Sequence, residues 1–157
     1  MDYLPLLIKV GKSGAYSKTM EYEDPFDTKE SYGIWVKHTP FTIMPKTKVL
    51  ISQTWNDENG DDVFLSDAGA KCEAYDWPVD FVYLENDGLA HERITEFINC
   101  IHGKWLRIYD SYSKMTRDGV YVSEVNMEPR FKRRGDKDLV IFSVTFRVNN
   151  PNCLEEF

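Results

Sequence analysis

The sequence is poor in cysteine and contains no apolar stretch long enough to cross a bilayer. Its 157 residues include three cysteines, Cys72, Cys100 and Cys153, and their spacings match no paired Cys/His zinc pattern. An odd number of cysteines argues against a complete disulfide framework and favours a reducing compartment. Cys100 is expected to be a small buried side chain within a helix. No run approaches the roughly 18 apolar residues of a membrane span, so we expect a soluble protein with no membrane contact, whose default place of synthesis is a bacterial or host cytosol.

The motifs of phosphate-binding and hydrolytic enzymes are also missing. A phosphate-binding loop at Gly11-Lys12-Ser13 would need glycine at position 6, which is Leu6. His91-Glu92 begins like a zinc-protease motif, but the second histidine would stand at position 95, which is Thr95. His91 and His102 are too far apart along the predicted helix to share a metal.

Acid–base catalysis by carboxylates has no support from spacing either. Among 26 acidic residues no pair is singled out, and Asp110, at the end of a predicted strand, is the least unfavourable candidate. We therefore predict that the protein is not an enzyme and that it has no catalytic, cofactor-binding or metal-binding residues.

Positive charge is scarce, with 19 Lys and Arg against 26 Asp and Glu, a formal net charge of −7. Duplex-binding domains carry basic surfaces, so specific nucleic-acid binding is not expected. One strong basic cluster stands out, formed by Lys132, Arg133, Arg134 and Lys137. We interpret it as a charged turn, which is either merely solvated or a docking patch for the acidic face of another subunit.

Aromatic residues are abundant, at 14% of the chain, which favours sheets. Alternation of apolar and polar residues is clearest at 139–148 and marks a strand with one buried face. Further strands are predicted at 33–38, 47–55, 63–65, 79–84, 104–109 and 120–122. Asn59-Gly60 predicts a hairpin between the second and third of these, and residues 110–118 are expected to form a loop.

One segment has helical periodicity. Its apolar side chains fall at i, i+3, i+4 and i+7, and they are Ile94, Phe97, Ile98 and Ile101. The pattern predicts a helix at about 89–102, with Asp87 as its N-cap and Gly103 at its end. We expect all four apolar side chains to be nearly buried against a sheet.

The N-terminal third is more polar. After a short N-terminal strand, residues 11–31 contain Gly, Ser and Pro and are expected to form an extended arm or a long loop. The sequence thus predicts a single domain, 1–157, in which residues 1–31 hold the strand and arm and residues 32–151 form the core. The predicted fold class is mainly β (α+β), an antiparallel β-sandwich or open barrel with one packed α-helix.

The order of elements from Val79 to Pro151 carries a resemblance to a known family. The elements are a strand at Val79–Glu85, a helix with Glu92-Arg93-Ile94 and Phe97-Ile98, and strand segments at Leu106–Asp110, Tyr121–Asn126 and up to Phe146–Pro151. This half of the chain resembles small tail structural proteins of bacteriophages, of the ring-forming distal-tail or tail-tube type.

That resemblance implies a structural role and carries no catalytic residue. It implies a β-sandwich flanked by one helix and a homo-oligomer, in that family a hexameric ring. It also implies contacts with other tail proteins, and a place in the virion tail after synthesis in the bacterial cytoplasm. Self-assembly through sheet edges and charged loops would follow.

A ligand-binding sandwich of the carbohydrate-binding type is the alternative. Such a module stacks its ligand on exposed aromatic rings. The candidate stacking residues are Trp35, Trp55, Trp77 and Trp105, although packing in the core or at its rim is the favoured interpretation for each of them.

Overall fold

Antiparallel strands account for most of the regular structure. The computed structural model describes residues 3–17, 19–38, 48, 51–54, 56, 59–64, 72–85, 88–127, 132–134, 137–150 and 157. The elements are β1 (Leu6–Val10), β2 (Phe26–Asp27), α1 (Thr28–Tyr32), β3 (Ile34–His38), β4 (Ile51–Thr54), β5 (Asp61–Phe64), β6 (Tyr75–Glu85), α2 (Ala90–Ile101), β7 (Leu106–Asp110), β8 (Met115–Met127), β9 (Lys132–Arg134) and β10 (Lys137–Val148).

Eight of these strands form one sheet. Their order is β2-β1-β7-β8-β10-β6-β3, with β9 pairing beside β10, and β4 and β5 form a separate hairpin. Every pairing is antiparallel. The sheet curls into a half-barrel, which confirms the predicted mainly β fold with a packed helix and corresponds to its open-barrel form.

Strand β8 joins two halves of the sheet because its pairing is staggered. Residues 115–120 pair with β7, whereas residues 120–127 pair with β10 on the other side. From Tyr121 to Met127 the β7 side of the strand has no partner strand among the described residues. A stretch of β8 therefore presents an unpaired edge in the middle of the sheet.

The core lies between α2 and the inner face of the sheet. Ile94, Phe97 and Ile101 of α2 are buried, and the Phe97 ring packs 5.4 Å from Phe81 and 6.5 Å from Phe142, centroid to centroid. These three predicted core positions are confirmed. The fourth, Ile98, is only partly buried against the core, since at 100° per residue it lies on the flank of the apolar stripe.

The long terminal strand is protected on both sides. β10 pairs with β6 along one edge and with β8 and β9 along the other. Its predicted alternation is confirmed by buried side chains at Val140, Phe142, Val144, Phe146 and Val148. An apolar strand of this length would invite pairing with other chains if it were an edge, and its central place removes that hazard.

Two loop predictions are corrected, and the predicted hairpin at Asn59-Gly60 is confirmed. The predicted loop at 110–118 is only a turn, since β8 begins at Met115. The strand continues past Asp118 through a register shift in its pairing with β7, where Gly119 adopts a positive φ of 61°. The supposed turn at 132–137 contains paired residues of β9 and β10, with Lys137 opposite Arg134. The hairpin at Asn59-Gly60 exists, but Thr54 pairs with Asp61, which leaves a longer connection than a two-residue turn.

Helix boundaries are corrected in two places. The arm region contains a helix that was not predicted, α1, for which the Asp27 carboxylate accepts a hydrogen bond from Lys29 N at 2.9 Å and Gly33, at φ 69°, ends the helix. The N-cap of α2 is Leu89, without a side-chain cap, whereas the predicted N-cap Asp87 lies outside the described residues. Gly103, with φ 73°, follows the end of α2 as expected.

Candidate interaction surfaces

A buried carboxylate holds the N-terminal arm, residues 11–25, on the outer face of the sheet, the face opposite α2. The side chain of Asp118 is fully buried and accepts hydrogen bonds from Tyr16 Oη at 2.6 Å, Tyr22 Oη at 2.8 Å and Arg107 Nε at 3.2 Å. Asn150 Nδ2 donates to Tyr16 Oη at 3.3 Å. These five residues, the Asp118 cluster, come from the arm, from β7 and β8, and from the residues after β10.

Electrostatics favour the charged form of Asp118. Burial alone would raise the pKa of Asp118, but hydrogen bonds from Tyr16, Tyr22 and Arg107, together with the positive charge of Arg107, lower it below its ordinary value. Burial, and then the bond to Asp118, raise the pKa of Tyr22. The Arg107 guanidinium also lies 4.6 Å from the Tyr22 ring centroid. The Asp118 carboxylate is thus hydrogen-bonded to partners from three parts of the chain, and these bonds anchor the arm.

Beside this cluster, aromatic rings line a groove next to the point where β8 continues beyond its pairing with β7. Trp105 lies between Tyr16, at a centroid distance of 5.2 Å, and Tyr121, at 5.4 Å, and its Nε1 donates to the Gly14 carbonyl at 2.9 Å. The groove has a volume of about 470 Å³ and is lined by Gly103, Lys104, Trp105, Tyr121, Val122 and Asn149. We call it the aromatic groove.

The predicted subunit-contact residues lie together on one hairpin. Lys132, Arg133 and Arg134 form β9, and Lys137 begins β10 opposite Arg134. Only residues 135 and 136 connect the two strands. The hairpin lies at the end of the sheet where β6 finishes, since Asp138 is also opposite Glu85.

The four tryptophans have different surroundings. Trp77 is 1% exposed and packs on Phe146, so its proposed role as a stacking platform is wrong. Trp35 is covered by the Lys29 ammonium, 3.9 Å from its centroid. Trp105 lines the aromatic groove, and Trp55 lies outside the described residues.

The residues considered for catalysis or metal binding form no site. The Asp110 carboxylate accepts hydrogen bonds from Tyr112 N at 3.0 Å and Ser113 Oγ at 2.9 Å, which stabilise the turn before β8. His91 and His102 are exposed at opposite ends of α2. Within the described ranges, no group of three His, Cys, Asp or Glu side chains is placed to hold a metal.

The described residues include two of the three cysteines. Cys72 and Cys100 are free thiols, and Cys100 is partly buried against the core rather than fully buried; Cys153 lies outside the described residues. No helix in the described part of the chain has both the length and the apolar character to cross a membrane.

The arm anchor was not predicted from sequence. Asp118 was assigned to a loop because Asp-Gly commonly marks a turn, and its partners Tyr16 and Tyr22 lie in a segment without periodicity. Three hydrogen-bond donors that are distant in sequence give no local pattern, so only the strand pairing brings them together.

Comparison with known proteins identifies a fold. No protein-family model matches the sequence, and no curated protein matches it. Among solved structures, the chain is similar to a phage adsorption-hub protein. That protein is SPP1 Dit (gp 19.1), described as a paradigm of the hub adsorption apparatus in phages that infect Gram-positive bacteria.

The match with SPP1 Dit extends over nearly the whole of this chain. The TM-score is 0.55 and the sequence identity 11%, and the match covers 93% of this chain but 50% of that one. The chain therefore spans half the length of the protein that it resembles. At this identity the likeness establishes a shared fold, in line with the resemblance seen in residues 79–151.

Proposed function

We propose that this protein is a structural subunit of a phage tail or of a related injection machine. The observation that carries the proposal is the fold shared with SPP1 Dit over 93% of this chain. In this role the protein self-assembles into a ring or tube, contacts other tail proteins and resides in the virion tail after synthesis in the bacterial cytoplasm. It performs no catalysis and needs no cofactor.

The positions of the strand edges bear on where copies would meet. β3 is an end strand of the sheet, but the Val36 N–H on it donates to Tyr3 Oη at 2.9 Å, and its pairing shifts register between Val36 and His38. β2, at the other end, has two residues. Short or irregular end strands resist pairing with another chain. The unpaired edge of β8 at residues 121–127 is the better edge for a neighbour.

Charge supports the β9–β10 hairpin as the second contact. It concentrates Lys132, Arg133, Arg134 and Lys137 in a chain whose formal net charge is −7. Each neighbouring copy would therefore offer carboxylates to this hairpin, and opposite charges at an interface speed association and select its orientation. An acidic subunit also suits a conduit for DNA, because like charges let the polymer pass without sticking.

The proposal is tested by measuring mass in solution. Light scattering on the concentrated full chain, with electron microscopy of the same sample, should reveal a ring or a larger closed assembly at low salt. The double variant Arg133→Glu/Arg134→Glu should assemble less and keep its circular dichroism spectrum and melting temperature. Added salt should weaken assembly of the wild type, since exposed charge pairs are screened beyond about 8–10 Å at physiological ionic strength.

A matched control changes the same charge elsewhere. Lys12 and Lys114 are both exposed and lie outside the hairpin, so Lys12→Glu/Lys114→Glu should leave assembly unchanged. Equal loss of assembly in both double variants would indicate a general charge effect and remove the hairpin from the interface. A wild type that remains monomeric at every concentration, alone and with co-expressed tail proteins, would contradict the structural-subunit role.

A saccharide-binding module is the second candidate function. The specific observation that favours it is the aromatic groove, which includes Tyr121 and Val122 at the start of the β8 edge.

A further inference from the structure

The aromatic groove has the composition of a small-ligand site. Its volume of about 470 Å³ lies within the range of roughly 300–1,000 Å³ that is usual for such sites. Trp105, Tyr121 and Val122 supply the apolar part of its lining, and Lys104 and Asn149 supply polar groups. Mostly apolar walls with a few polar groups are the usual arrangement of a specific pocket.

The aromatic wall is held by contacts within the chain. Trp105 is held by the Tyr16 ring, by the hydrogen bond from its Nε1 to Gly14 O, and by the Gly11 N–H that donates to its carbonyl at 2.7 Å. Tyr16 is in turn anchored on Asp118. A ligand therefore does not have to order this wall, which removes an entropic cost of binding.

Tyr121 provides the accessible aromatic surface. Its side chain is 38% exposed, although it projects from a central strand, and its ring meets Trp105 edge to face at 85°. An exposed tyrosine ring has an apolar face for C–H groups and a hydroxyl for hydrogen bonding. A sugar ring offers both kinds of group in the same small volume.

The charge of the groove lining indicates which kind of ligand the groove favours. Lys104, at the edge of the groove, is exposed and forms no ion pair with any residue that the structure describes. Among the described lining residues it is the only charged side chain, so this part of the groove favours an anionic group over a cationic one. Asn149 is exposed beside it and offers both a donor and an acceptor to hydroxyl groups.

We propose that the aromatic groove binds a short acidic saccharide, stacked on Tyr121 and Trp105 with its carboxylate or phosphate at Lys104. This binding goes beyond the structural role and does not require assembly. Because Tyr121 and Val122 begin the β8 edge at which a neighbouring copy is proposed to pair, saccharide binding is measured on the unassembled chain, so that its failure is distinguishable from a failure of ring formation.

Isothermal titration calorimetry on the full chain tests the proposal with three sugars. A hyaluronan tetrasaccharide carries carboxylates, glucose 6-phosphate carries a phosphate, and cellotetraose is neutral. We expect at least one acidic sugar to bind in preference to cellotetraose, with an affinity that falls as salt is added. The sugar that binds identifies the acidic group.

Substitutions then locate the site. Tyr121→Ala should weaken binding about tenfold, a change typical of losing one stacked ring. Lys104→Gln should reduce the preference for the acidic sugar roughly fivefold and leave the affinity for the neutral sugar unchanged. The matched controls are Tyr112→Ala, since Tyr112 is 67% exposed away from the groove, and Lys114→Gln; both should bind as the wild type does.

Three results would overturn the proposal. One is that no sugar binds at millimolar concentration to a protein whose fold is verified by its melting curve. Another is that Tyr121→Ala and Tyr112→Ala bind equally well. The third is that a tetraglutamate peptide competes as well as the acidic sugar, because the groove would then recognise charge alone.

Discussion

The two faces of the sheet are held by different kinds of interaction. The inner face packs apolar side chains of β6 and β10 under α2, with Phe97 among the rings of Phe81 and Phe142. The outer face is covered in part by the arm, which is fixed by hydrogen bonds to one buried carboxylate, Asp118. The inner face depends on area removed from water, whereas the arm depends on a few directed contacts. The two should therefore respond differently to substitution, pH and salt.

The largest effect is expected on the inner face. Phe97→Ala should lower the free energy of unfolding by about 3–5 kcal/mol, since Phe97 is fully buried and its removal leaves a cavity. Urea denaturation measures the loss. His91→Ala on the exposed side of the same helix is the control and should change stability by less than about 0.5 kcal/mol. Equal effects of the two substitutions would contradict the assigned helix face.

The next effect concerns the arm. Asp118→Asn keeps the size of the side chain but removes the charge that Arg107 and the two tyrosine hydroxyls contact, and should cost about 1.5–3 kcal/mol. Limited proteolysis should cut the variant within residues 11–25 much faster than the wild type, with the core intact. Proteolysis that leaves the arm as resistant as before would show that packing of the arm, and not Asp118, holds it in place.

A smaller effect is expected from pH. The pKa of Asp118 is lowered in the folded protein, from an ordinary value of 3.8. A group of this kind stabilises the fold fully above its unfolded pKa, and the contribution is lost as pH falls through the folded pKa. Stability measured from pH 5 downward should therefore fall less steeply in Asp118→Asn than in the wild type. Identical slopes would exclude Asp118 from the acid response.

The smallest effect comes from comparing two ion pairs of similar length, one exposed and one largely buried. The comparison tests whether solvent exposure reduces the stabilisation that an ion pair provides. Arg147 Nη1 lies 3.1 Å from Asp76 Oδ1, and Arg107 Nε lies 3.2 Å from Asp118 Oδ1. The first pair is 37% and 60% exposed and the second 16% and 0%. Arg147→Ala should cost no more than about 1 kcal/mol, as is usual for exposed pairs. A cost equal to that of Asp118→Asn would mean that burial does not separate the two pairs.

The difference between the two faces of the sheet also determines which features could be predicted from the sequence. On the inner face, apolar side chains recur with the period of the strand or helix that carries them. The alternation along β10 and the spacing of Ile94, Phe97 and Ile101 therefore predicted both the elements and their buried residues. Helix α1 has only five residues, too few for any period. Its one local signal is the N-cap Asp27 followed by Gly33 at the other end, and this signal alone is too weak to predict a helix.

The surface features depend on pairs that are distant in sequence. Tyr16 and Tyr22 meet Asp118 because β1 and β7 are neighbours, and Trp105 meets Tyr121 because β7 pairs with β8. Composition identified Trp105 as a candidate stacking residue, but the same argument selected Trp77, which is buried. Whether an aromatic side chain faces solvent depends on the register, and no property of the single residue determines it.

The position of β1 has a consequence for how the chain folds. Leu6 pairs with Asp110, and Val10 with Leu106, so β1 cannot pair with β7 until residues 106–110 have been synthesised. Until then its apolar residues remain uncovered, and closing so long a loop is slow because chain entropy is lost before the contacts form. In refolding of the complete chain, the β6–β10 pairing closes a shorter loop than the β1–β7 pairing, so we expect it to form earlier. The interval before β7 is synthesised therefore leaves β1 exposed to aggregation.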